Sequence, residues 1–331
     1  MQNVLLASTL HDPQGALLYP LKQAVDIVLS NYRGWVFNIT ATTDPRVKDL
    51  LKSLEERGVY ITESDSTNPI ISNKIENDHL NVLRESFAVA RKLGINKIQY
   101  TDWDRIVVAA RYFPKDLEEM AKIASESIGD SNGYLNFRRS PEDYFTHHPP
   151  LVQTELEFNR LYSRAFRIPI DIGSTAHAMS LDVLQEVLRK SPDMESVSFP
   201  HPKWLIIAKE MGAKIASVET HHVLTFETPE QFKTQVSERV NADLSNYSLL
   251  QKAFMATLGM ESFKSPQEWE LRFGTERQYL RLLQNHLDIF GLNDEQKVEL
   301  QSELKKSLLN LEGRQEAILE ALEQSGKGIE K

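Results

Sequence analysis

Three strand-helix units follow one another over about the first 110 residues, and nothing else in the chain restricts its fold so tightly. NVLLAST is strand-forming. The segment from Ala16 to Ser30 then carries apolar residues at helical spacing, namely Leu17, Leu21, Ala24, Val25 and Val28. GWVFNITAT is the second strand. Asp44 followed by Pro45 predicts a cap with proline at the first helical position, opening a helix that runs to Arg57 and stops at Gly58. VYITES is the third strand, and the helix from about Asp78 to Leu93 stops at Gly94. Strands joined through helices lie parallel and cross over with a right hand, so this stretch predicts a Rossmann-like, largely parallel α/β sheet.

The strand that follows runs into two acids. Ile98, Gln99, Tyr100 and Thr101 favour an extended chain and the alanine-rich run after Asp104 favours a helix, which puts Asp102 and Asp104 at a strand's carboxyl end. Ligands of open α/β sheets gather at that edge. Carboxylates two residues apart supply hard oxygen donors for Mg²⁺ or Mn²⁺, ions often held by one or two acids together with substrate phosphates. Neither G-x-G-x-x-G nor a P-loop occurs, which sets aside the common dinucleotide and NTPase sites.

A formal charge of −9 argues against nucleic-acid or acidic-membrane partners. With no cysteine there are no disulfides, thiolate metal sites or cysteine nucleophiles. MQNVLLASTL lacks a basic start and has too short an apolar run for a signal peptide, and no 18-residue apolar span follows. The expectation is a soluble, cytoplasmic protein with no integral membrane segment.

Beyond Arg111 the alternation loosens. GYLNFRR reads as a strand, Ser140 with Pro141 starts a short helix, and LVQTELEFNRLYSRAF is helical. IDIGSTAHAMS reads as a loop ending in a helix cap at Ser180, and within it Asp171, Gly173, Ser174 and Thr175 are small and polar enough to let a sugar approach the backbone. HPKWLIIAKEMG is a helix and AKIASVETHH a strand with a polar end. After about Thr234 the pattern is almost wholly helical. Ser265 to Glu268 and Asn293 with Gln296 have capping-box spacing, and Leu300, Leu304, Leu308, Leu311, Ile318 and Leu322 keep one apolar face. The expected domains are 1–233 and a helical extension, 234–331, whose apolar face either packs on its own domain or serves homo-oligomerisation.

The order of a Rossmann-like half, then YTDWD, then a looser mixed region resembles the glycosyltransferases of the GT-A fold over roughly residues 1–230. The resemblance implies a three-layer α/β/α sandwich in which Asp102 and Asp104 hold Mg²⁺ or Mn²⁺ against the diphosphate of a UDP- or GDP-sugar donor. It places Ser8, Thr9 and Asp12, in the loop after the first strand, at the nucleotide, and makes His221 a further metal ligand with His222 as its alternative. A narrower similarity, to an uncharacterised prokaryotic group with a D-x-D-R element and a segment like RRSPEDYFTHHPPLVQTELEFN, adds Arg105 and Arg139 as donor contacts and draws attention to His147, Gln153 and Glu155. Glu155 is then expected at the face for a small-molecule or glycan acceptor.

Inverting members carry a general-base carboxylate near the start of the helix that here opens FPHPKW. Either His201 takes that role, or another residue does, or the enzyme retains configuration, or activity is lost. A hexosyltransferase is the main reading, and a non-catalytic sugar-nucleotide or glycan-binding protein is the alternative. A haloacid-dehalogenase phosphatase fits poorly, because its D-x-D normally ends the first strand and Arg105 here follows the second acid.

Overall fold

The computed structural model describes residues 2–13, 15, 18–65, 75–144, 147, 149–225 and 266–327. The chain divides into two units, Met1–Tyr144 with Ile170–Phe226, and Phe145–Pro169 with Glu227–Lys331. Segment 145–169, which the sequence reading put in the first domain, thus belongs with the helical unit. The boundary near residue 233 and the Ser265 cap lie outside the described residues.

The first unit opens with β1 (Leu5–Leu10), α1 (Leu18–Asn31), β2 (Trp35–Thr40), α2 (Pro45–Lys52), β3 (Val59–Ser64), α3 (Ile75–Leu93) and β4 (Lys97–Thr101). It continues through α4 (Trp103–Tyr112), α5 (Pro114–Glu126), β5 (Gly133–Arg139) and α6 (Pro141–Tyr144). The second unit contributes α7 (Pro149–Phe166), after which the first resumes with β6 (Ala176–Ser180), α8 (Leu181–Lys190), α9 (His201–Glu210) and β7 (Lys214–Thr220).

The expected α/β sheet is present, with seven strands in the order β3-β2-β1-β4-β6-β5-β7. All its ladders are parallel except those of β6, which runs against both β4 and β5. The chain steps outward from β1 to β3 and then returns across β1 to β4. Right-handed crossovers therefore put α1 and α3 on opposite faces. Packing follows that division, α1, α4 and α5 contacting one another and α3, α8 and α9 forming the other layer. Residues of β1 and β2 such as Leu5, Leu6, Trp35 and Phe37 are fully buried, as strands covered on both sides require.

Local chemistry explains the element ends. The Asp44 carboxylate accepts from the Arg46 amide at 2.8 Å, with Pro45 starting α2. That helix stops at Lys52 rather than at the expected Arg57. The Ser53 hydroxyl bonds back to the Leu50 carbonyl, the chain tightens into a 3₁₀ turn over Glu55–Arg57, and Leu54 is buried. Gly58 then turns the chain with φ of 98°, a conformation costly for any residue with a Cβ.

The larger correction is β6. AHAMS, read as loop, is a fully buried strand laddered on both edges, Thr101 pairing with Ala176 and Tyr134 with Met179. Residues with little intrinsic strand preference are extended here because both neighbours satisfy their backbone groups.

In the second unit α7 packs with α10 (Pro266–Asn285) and α11 (Asp294–Lys327). The Tyr162 hydroxyl donates to the Tyr279 carbonyl at 3.0 Å, and Phe166 meets Phe290 edge to face. Asn293 and Gln296 cap α11 reciprocally, at 2.8 and 3.2 Å. Glu276 is wholly buried against Arg314 at 2.5 Å, and burial pushes its carboxyl up to about 7. No helix among the described residues is long and apolar enough to cross a membrane.

Candidate functional site

The chain reverses its direction of travel across the sheet between β1 and β4, and the carboxyl ends of two such strands are the position where open α/β sheets bind ligands. Alternation along β1 divides its polar residues. Ser8 turns into one layer, where it donates to the Thr101 carbonyl at 2.7 Å, accepts from the Trp35 indole at 3.0 Å and is fully buried. It ties strands together, contrary to its expected role at a nucleotide. Thr9, on the other face, shares a 3.0 Å hydrogen bond with the Tyr100 hydroxyl.

Tyr100 in turn donates to Asp102 Oδ1 at 2.9 Å. Asp102 is the N-cap position of α4 and Asp104 lies in its first turn, both half-buried. Burial, with the Asp104 carboxylate second, pushes the Asp102 carboxyl up to about 6, against the opposing pull of Arg105. An acid pair that resists ionising together is an oxygen site short of positive charge.

Beside Thr9 is a cleft that the sequence reading did not find. It is lined by His11, Asn38 and Thr40 from the ends of β1 and β2 and by Asp78 and His79 from the first turns of α3. His11 Nδ1 lies 2.9 Å from the Thr40 hydroxyl, and burial holds its imidazole below the usual range. Asp12 is buried in the adjoining loop, where its carbonyl accepts from the Asp44 amide at 2.9 Å. Only the loop's position after a strand signalled this cleft, because the residues that line it are distant in sequence.

The remaining candidates scatter. Arg105 is buried and donates to the Thr225 carbonyl at 2.8 Å, tying α4 to the segment after β7. Arg139 is wrapped around Asp171, with Nε and Nη2 donating to its two oxygens at 2.7 and 2.6 Å, and lies over the Tyr144 ring. This arginine holds the entry to β6 and presents no open fork to a phosphate. His222 stacks on Phe113 and lies 3.2 Å from Asp116, while His221 is exposed. Among the described residues no three His, Cys, Asp or Glu side chains are arranged to hold a metal, so His221 does not join Asp102 and Asp104 in such a group. Glu155 and His147 are buried in the second unit.

His201 departs furthest from expectation. It is 1% exposed, and its ring packs within 4.9 to 5.5 Å of Trp204, His79, His177 and Tyr100. Neither of its nitrogens has a hydrogen-bond partner, and burial holds it well below the imidazole range. It starts α9 as expected, but α9 presses that end into the core rather than toward an acceptor.

No family model and no curated protein matches the chain.

Proposed function

We propose that this chain is a metal-dependent glycosyltransferase of the GT-A type, taking a nucleotide-diphosphate sugar as donor. The observation that carries the reading is the Thr9–Tyr100–Asp102 network at the strand ends where the strand order reverses. Two half-buried carboxylates suit a hard cation that keeps water and takes its other oxygens from a diphosphate. Asp102 and Asp104 would hold Mg²⁺ or Mn²⁺, and the bound ion would supply positive charge to the diphosphate leaving group. Thr9, His11 and Asp78 would line the nucleoside side of the ligand. Arg105 contributes fixed positive charge beside Asp102 without leaving its backbone partner.

A second reading, a non-catalytic sugar-nucleotide binder, draws support from the burial of His201, which leaves that residue unable to meet an acceptor hydroxyl.

Thermal-shift titration with UDP-, GDP- and ADP-sugars, with and without Mn²⁺, tests the common part. One nucleotide class should stabilise the protein only when the cation is present, and Asp102→Asn and Asp104→Ala should each abolish that shift. A full shift in either variant overturns the site. Slow donor hydrolysis without acceptor separates the enzyme from the binder.

In chelator the same Asp102→Asn change should raise the melting temperature at pH 7. A carboxyl raised from 3.8 to about 6 contributes stability while protonated and loses it as pH rises through that interval. Allowing for partial exposure, the gain at pH 7 is about 1–2 kcal/mol, and it should vanish near pH 4. A lower melting temperature at pH 7 would show that Asp102 stabilises the fold.

A further inference from the structure

Thr175 is a β-branched residue held at φ 55° and ψ 22°, in the left-handed region that such residues avoid. Two constraints force it there. Upstream, Asp171 is clamped by Arg139 and its backbone is bonded to Asn136 in both directions, at 2.9 and 3.0 Å. Downstream, Ala176 is already in register with Thr101. The turn between them sets Thr175 across from Asp102, since β4 and β6 run antiparallel. Its hydroxyl lies against the Asp102 carboxyl, and Oγ1 is buried. The Tyr100 hydroxyl donates to the same carboxylate, and its ring is seated on His79, His201 and Trp204.

We propose that Tyr100 and Thr175 are positioning residues that bracket Asp102 between two hydroxyls and hold its carboxylate oriented for a divalent cation. The inference rests on the reading of Asp102 as a cation ligand. It gives a role to a strained threonine where glycine or asparagine would sit without strain. A cation drawn to Asp102 then meets a carboxylate already held by two hydroxyls. Neither hydroxyl touches the substrate in this arrangement, and each acts through Asp102.

The test is Mn²⁺ binding to the full chain without nucleotide, followed by the loss of the free-ion electron paramagnetic resonance signal. Tyr100→Phe keeps the ring on its seat and Thr175→Val keeps the branched shape, so both should fold. Each should weaken Mn²⁺ about tenfold, and Thr175→Ser should restore binding to within about twofold of the parent. Asp102→Asn is the control. If it binds Mn²⁺ as the parent does, the cation site and the bracket both fall. If it loses Mn²⁺ while Tyr100→Phe and Thr175→Val bind normally, the bracket alone is overturned. Weak binding by Thr175→Ser also overturns the bracket, because shape rather than the hydroxyl would then be at stake. Should a variant melt early, Thr175→Asn, which tolerates the left-handed turn and lacks the hydroxyl, replaces it with the same expected loss.

Discussion

Lowering the pH from 7 to 5 should strip several kcal/mol of stability from the sheet unit, with net uptake of protons on unfolding. His79, His177 and His201 are buried together, and burial holds His79 at about 4, His177 at about 3 and His201 well below the usual value. Unfolded, each takes a proton near pH 6.5. Their folded-state values are depressed, so the stability they contribute is whole above 6.5 and is lost as pH falls below it, toward 3 or 4. His79 and His177 then cost about 1.4 kcal/mol per pH unit each, about 2 kcal/mol each at pH 5, and His201 adds in the same direction. Asp102 and Asp143, whose carboxyls burial raises, oppose this, but with fewer groups over a narrower interval. Asp171 also favours the charged form of His177, a smaller effect than its burial. Melting temperature followed from pH 7.5 to 4.5 checks the slope. His201→Phe removes two ring nitrogens that have no partner and should lower the acid midpoint while raising stability at neutral pH. A pH-independent melting temperature, or an unshifted midpoint in the variant, would mean that water reaches these rings.

Arg139→Ala should be the most damaging single change, at about 3–5 kcal/mol, the usual cost of removing one partner from a buried ion pair. The arginine side chain is fully buried and Asp171 nearly so, joined by two hydrogen bonds between side chains and a third from the Arg139 amide at 3.1 Å. Truncation leaves a buried carboxylate beside His177 and frees the turn that forces Thr175 into place. Stability and Mn²⁺ binding should therefore fall together, whereas Thr175→Val should lose only the second. Denaturant unfolding measures the first effect. Arg139→Met would leave the same charge uncompensated, while the double change to Arg139→Met with Asp171→Asn should recover a good part of the loss. No recovery would show that the fork, rather than the charge, sets the turn.

What the sequence disclosed was what is local. The first strands and helices could be read because their apolar spacing changes between sheet and helix periods at marked turns, Gly58 and Gly94 among them. The position of Asp102 and Asp104 followed from the same alternation. Strand β6 could not be read, because AHAMS owes its extension to partners 75 and more residues earlier on one side and to β5 on the other. The ring cluster was hidden for a similar reason. His79, His177 and His201 come from α3, β6 and α9, and no spacing announces their meeting. Arg139 was singled out by the narrower resemblance, but its partner lies 32 positions away and turns a candidate contact into a brace.

The inverted strand has a bearing on how such a chain could arise. The parallel strands β1 to β4 end at one edge of the sheet and leave it toward helices, so added length there displaces the ligand edge. β6 alone begins at that edge, and the register of a strand is set by the ladder that follows its first residue, not by the path that led to it. The chain departs the sheet unit after Tyr144 and rejoins it at Ile170, next to the Arg139–Asp171 clamp. Length can therefore be gained or shed between those points over evolutionary time while the sheet is inherited unchanged. The helical unit's first segment occupies just that interval.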